Sequence, residues 1–111
     1  MKDDLRKHLH DILESAKAIK GFVAGKSFKD YSADELLRSG VERKFEIIGE
    51  ALNRIGKVAP DVLSHIRGQR DIVSFRNILA HGYDTIDDRI VWGVIEEDLD
   101  HLLADIKKLL M

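Results

Sequence analysis

The strongest constraint on the fold is an apolar seam near the start of the chain. Leu5, Leu9, Ile12, Ala16, Ile19 and Val23 follow one another at alternating spacings of four and three residues. A helix advances about 100° per residue, so such a run forms one continuous stripe along a helix of five or six turns. A stripe of that length must be covered by another element. The chain supplies matching stripes at Leu37, Val41, Phe45, Ile48, Leu52 and Ile55, and at Val91, Ile95, Leu99, Leu102, Ile106 and Leu109. No strand-like alternation competes with them. The expected fold is therefore all-α: an antiparallel, up-and-down helical bundle of four main helices plus a short one, forming one domain over residues 1–111.

Local signals punctuate that plan. The first helix is expected over Asp3 to Val23, with Gly25 to Tyr31 as a loop. Ser32-Ala33-Asp34-Glu35 has the form of a capping box for the second helix, and Gly56 reads as its stop. Pro60 suits the first turn of a short helix over Asp61 to Ile66. A third main helix is expected from Gln69 to His81. It carries Ile72, Phe75 and Leu79 on one stripe, while Val73 and Ile78 make it apolar on a second side and suggest a second contact surface. The last helix is expected from Asp87 or Asp88 onward, continuing to the basic Lys107-Lys108.

Composition narrows the function classes. Cysteine is absent, which removes disulfides and thiolate metal sites. No apolar run is long enough to span a bilayer, and the charged start Met1-Lys2-Asp3-Asp4 lacks the form of a signal peptide. A cytoplasmic location is the expectation. The net charge of −2 argues against a protein that binds nucleic acid over its whole surface. A local basic cleft is still compatible with it, and Arg67, Arg70 and Arg76 fall close together. His8 and His10, two apart on a helix, point about 200° from each other and make a poor metal pair. Glu42, Glu46 and Glu50 form a ladder read as a solvated, partly paired face. Trp92 reads as packing. No phosphate loop or nucleophile–base arrangement is present, and the expected chemistry needs neither metal nor cofactor.

Chemistry is concentrated in Arg76-Asn77-Ile78-Leu79-Ala80-His81-Gly82-Tyr83. Arginine offers a fixed charge and a donor fork suited to phosphate oxygens. Histidine exchanges protons near neutral pH. Attack of a ribose 2′-hydroxyl on its own phosphodiester needs a base, an acid and stabilisation of phosphoryl charge, so this pair is a candidate ribonuclease site. Asn77 and His81, four apart, share a helix face, and the amide can orient the imidazole. Arg76 and His81 are splayed by about 140° on an ideal helix. Gly82 suggests a helix C-terminus at His81, where the dipole favours imidazolium by about 0.3–1 kcal/mol.

This segment resembles the signature of the HEPN superfamily, in particular its HepT-like toxin nucleases. The resemblance extends to Ile47-Ile48-Gly49-Glu50-Ala51-Leu52-Asn53, to Arg67-Gly68-Gln69-Arg70-Asp71-Ile72-Val73, and to Ile86-Asp87 with Val91-Trp92. It implies a homodimer, or a multiple of one, whose two motifs face one cleft. It implies a metal-independent endoribonuclease acting on tRNA or mRNA, with Arg76, His81 and Asn77 as catalytic residues and Glu50 and Arg70 in support. At Gly49 backbones can approach closely, and a buried Glu50 beside it would need a hydrogen-bonding partner on the motif helix. The resemblance further implies a partner nucleotidyltransferase antitoxin that adds AMP to Tyr83. The alternative reading is a non-catalytic helical module that binds nucleotide or a partner within a two-component nucleotidyltransferase.

Overall fold

The structure, a computed structural model, describes residues 2–81 and 87–111, and the side chains of all of these except Ala80 and His81. The described residues form seven helices: α1 (Asp3–Val23), α2 (Phe28–Ala33), α3 (Glu35–Val58), α4 (Pro60–Leu63), α5 (Gln69–His81), α6 (Asp88–Glu97) and α7 (Leu99–Leu110). The central element is α3, which packs along α1 on one side and α5 on the other; α7 closes against α1. The core is built from the seams read in the sequence. Leu9, Ile12, Ile19, Ile48, Leu52, Ile55, Leu99, Leu102 and Ile106 are all fully buried. Val23, Leu37 and Leu109, at the ends of those seams, pack against the core only partly buried.

Five local expectations need correction. The segment from Gly25 to Tyr31 is not all loop, because Phe28 opens α2. Ser27 caps it in a reciprocal box with Asp30, its hydroxyl accepting from the Asp30 amide at 3.2 Å and its own amide donating to the Asp30 carboxylate at 2.9 Å. Two aromatic residues three apart then turn inward. Tyr31 is fully buried, 5.3 Å from the Trp92 ring, and Phe28 meets Trp92 edge-on at 6.4 Å. The cap of α3 is accordingly Asp34, which accepts from the Leu37 amide at 3.1 Å, and not Ser32.

Gly56 does not stop α3, which runs on to Val58. The stop comes from Pro60, whose ring forces Ala59 out of the helical region to φ −150°, ψ 67°. Gly56 is instead a packing position, since a Cβ there would lie 3.0 Å from the Leu63 side chain. The short helix begins at Pro60 and ends at Leu63, earlier than Ile66. The last helix is divided in two at Asp98, although the Asp98 amide still donates to the Val94 carbonyl at 2.8 Å. The Asp98 side chain sits against Gly68, whose φ of +78° provides the turn into α5.

Candidate active site

The motif lies on α5, whose bounds match the expectation of Gln69 to His81. Ile72 and Phe75 anchor the helix, both buried, with Phe75 meeting Phe45 of α3 edge-on at 5.8 Å. Gly49 fixes how close α3 and α5 come. A Cβ on Gly49 would lie 2.4 Å from the Cβ of Arg76 and 2.9 Å from its Cγ. Only glycine fits there, so the contact that sets the spacing of the two helices falls on the motif arginine itself.

The approach places Arg76 beside Glu50. The guanidinium Nη2 donates to Glu50 Oε2 at 2.6 Å, and Nη1 donates to Asn77 Oδ1 at 3.3 Å. Glu50 also accepts from Arg54 Nε at 3.2 Å through its other oxygen. One carboxylate thus holds two arginines. Burial pulls the Glu50 carboxyl up, but the hydrogen bond from Arg54 and the charge and hydrogen bond of Arg76 outweigh it and hold the group below its usual range. Glu50 finds its partner on the motif helix, yet it is not buried: its side chain is 41% exposed, against 30% for Arg76. Both face a cavity of about 250 Å³ between α1, α3 and α5.

The expected basic cluster of Arg67, Arg70 and Arg76 is not assembled, each of the three lying in a different place. Arg67 turns away to α7, where it grips Asp105 with a bidentate fork at 3.1 and 2.9 Å, while its amide also donates to that carboxylate. The Asp105 carboxyl is held below its usual range chiefly by that hydrogen bond. Arg70 is exposed at the start of α5, near Asp98. Asn77 is exposed beside Arg76. His81 is the last residue of α5, and the position of its side chain lies outside the described residues, as does Tyr83. Among the described residues no cluster of His, Asp or Glu is arranged to hold a metal, and no helix is long and apolar enough to cross a membrane.

Arg54 and His8 were not singled out by the sequence for this site. Arg54 shares a face with Glu50 at the i, i+4 spacing, a signal that was available. His8 lines the cavity from α1, a placement that depends on how α1 crosses α3 and that no local pattern encodes.

The site is thus an arginine held against a carboxylate beside an open cleft of a helical bundle, five residues before a helix-terminal histidine. Comparison with known proteins shows the family. Residues 12–109 match the family model described as "Ribonuclease HepT-like". The chain is 30% identical over 106 residues to a Methanocaldococcus jannaschii protein named "Putative RNase", covering 96% of both chains. It is 30% identical over 112 residues to "Probable ribonuclease HepT" of Thermococcus cleftensis, covering 98% of each. A further M. jannaschii protein, named as a gamma-glutamylcyclotransferase and putative RNase, is 29% identical over 110 residues, and the chain spans 49% of its length. No solved structure matches significantly. The chain belongs to the HepT-like ribonuclease family.

Proposed function

We propose that this ribonuclease is the toxin of a toxin–antitoxin pair and cleaves RNA, tRNA or mRNA, without a metal ion. The observation that carries the reading is the Arg76–Glu50 contact, 2.6 Å long at the edge of an open cleft. The carboxylate fixes the guanidinium in place while leaving part of it accessible, as a group that stabilises phosphoryl charge requires. His81 moves the protons, and Asn77 steadies Arg76 or contacts the phosphate. The 2′-oxygen loses its proton and bonds to phosphorus, the bond to the 5′-oxygen breaks, and that oxygen gains a proton. The products carry 2′,3′-cyclic phosphate and 5′-hydroxyl ends.

A homodimer fits this chemistry. Because α5 is helical through His81, positions 76 and 81 are about 140° apart around its axis, and a second copy supplies the complementary pair. A candidate surface for that copy is the groove between α5 and α6. Phe75 and Ile78 of α5 and Ile90 and Val94 of α6 supply the apolar lining of this groove of about 470 Å³, beside the charged Asp71, Arg89, Glu97 and Asp98, with Ile78 42% and Ile90 55% exposed. Regulation follows the family resemblance: a nucleotidyltransferase antitoxin adds AMP to Tyr83, placing a phosphate and a base two residues from His81.

The test is incubation of RNA with the protein in EDTA. Cleavage that persists in EDTA, disappears in Arg76→Ala and His81→Ala, and spares DNA supports the reading. A requirement for added magnesium contradicts it. For the antitoxin, co-expression should add mass in steps of AMP to wild type and none to Tyr83→Phe; mass on another residue rules out Tyr83.

A further inference from the structure

The cavity beside Arg76 extends well beyond what a single phosphate needs, and its floor is one face of α3. Arg43, Glu46, Glu50 and Arg54 follow one another at spacings of three, four and four, so they share that face. All four line the cavity together with Arg76, and His8 and Asp11 line it from α1. The arginines rest on carboxylates of the same stripe: Arg43 lies 3.4 Å from Glu46, and Arg54 3.2 Å from Glu50. These pairs are open to solvent, with Arg43 66% and Arg54 58% exposed. Such pairs contribute only about 0–1 kcal/mol. A phosphate, which matches the guanidinium fork as well as a carboxylate does, can therefore exchange into them.

From this stripe we infer that the α3 face is the path of the RNA backbone, with Arg54 beside the scissile phosphate and Arg43 on a phosphate further along the strand. The inference rests on the ribonuclease reading and extends it to residues outside the motif. Glu50 joins Arg54 to Arg76, which puts those two guanidiniums at one end of the path. Arg43 is 11 residues from Arg54, or about 16 Å at about 1.5 Å per residue. That is the length of about five nucleotides of a stacked strand at about 3.4 Å each. The substrate is accordingly a single-stranded segment of several nucleotides rather than a dinucleotide.

The test uses RNA with 2′-O-methyl groups, which binds but has no nucleophile, so binding is read independently of cleavage. Anisotropy of labelled oligonucleotides of three, six and twelve residues should show affinity rising to six and then levelling. In Arg43→Gln/Arg54→Gln the slope of log affinity against log salt should fall by about 1.4, two contacts at about 0.7 each. Extrapolated from parity at 1 M salt, that slope gives binding about 25-fold weaker near 0.1 M. The control Lys107→Gln/Lys108→Gln makes the same charge change on α7 and should bind as wild type. Helicity and melting temperature of both variants report whether they fold. Wild-type affinity and slope in the arginine variant overturn the path and leave the stripe as a surface for an acidic protein partner. Equal loss in the lysine control overturns it as a general charge effect. Binding that follows the prediction in a wild-type protein that does not cleave unmodified RNA sinks the ribonuclease reading but leaves the path standing.

Discussion

Replacing Gly49 by alanine tests how the fold positions its chemistry. The added Cβ would start 2.4 Å from the Cβ of Arg76, where neither atom can rotate aside. Normal carbon–carbon contact is about 3.5–4.0 Å, so α5 must retreat from α3 by more than about 1 Å. Overpacking of that kind costs about 1–3 kcal/mol, while glycine to alanine within a helix returns about 1 kcal/mol. The net expectation for Gly49→Ala is a loss of up to about 2 kcal/mol. Gly21, in α1, isolates the helix contribution, because an added Cβ there would meet nothing within 4 Å; Gly21→Ala should gain about 1 kcal/mol. Urea titrations should therefore separate the two variants by about 1–3 kcal/mol. Cleavage should fall further than stability does, because a displacement of about 1 Å in a positioned group can cost about a hundredfold in rate. If Gly49→Ala matches Gly21→Ala in stability and wild type in cleavage, the close approach does not set the site.

Two further perturbations test the Asp98 carboxylate and the groove between α5 and α6. Burial pushes the Asp98 carboxyl up, and the charge of Asp71 on α5 and that of Glu97 add to it, with only His101 opposing. The folded state then holds its proton more tightly than the unfolded chain, so stability falls as pH rises from about 4 through the raised value. Asp98→Asn should be more stable than wild type at pH 7, with the advantage vanishing below about pH 4; a less stable variant at pH 7 contradicts this. In the groove between α5 and α6, Ile78→Asp should sediment as a monomer where the proposed homodimer sediments as a dimer. Loss of about 1.5–3 kcal/mol from each copy weakens association at least about a hundredfold, and cleavage should fall with it. An unchanged sedimentation coefficient rejects that surface.

The bundle was legible because its seams are long: six apolar positions in register leave little choice of element or of buried face. The short elements were not. The α2 helix opens on a local Ser27–Asp30 box, but its inward face depends on Phe28 and Tyr31 meeting Trp92, about sixty residues away, which no local pattern announces. Gly56 defeats a local reading because glycine inside a helix and glycine at its end look alike until the packing of Leu63 is known. The break at Asp98 likewise depends on its contact with Gly68. At the site, the pairing of Glu50 with the motif helix followed from the Gly-Glu block, since a glycine that admits a neighbouring backbone also brings the next residue to it. Arg67 departed from the expected cluster because Asp105, on another helix, offers it a complete fork.

The central claim concerns which oxygen attacks phosphorus, and the ends of the cleaved RNA record it. RNA treated with the protein in EDTA should yield fragments whose mass shows a 2′,3′-cyclic phosphate on one side of the cut and a free 5′-hydroxyl on the other. Arg76→Ala and His81→Ala should yield none. Fragments bearing 5′-phosphate and 3′-hydroxyl ends would show that water, not the ribose, attacks, and would contradict the mechanism assigned to Arg76 and His81.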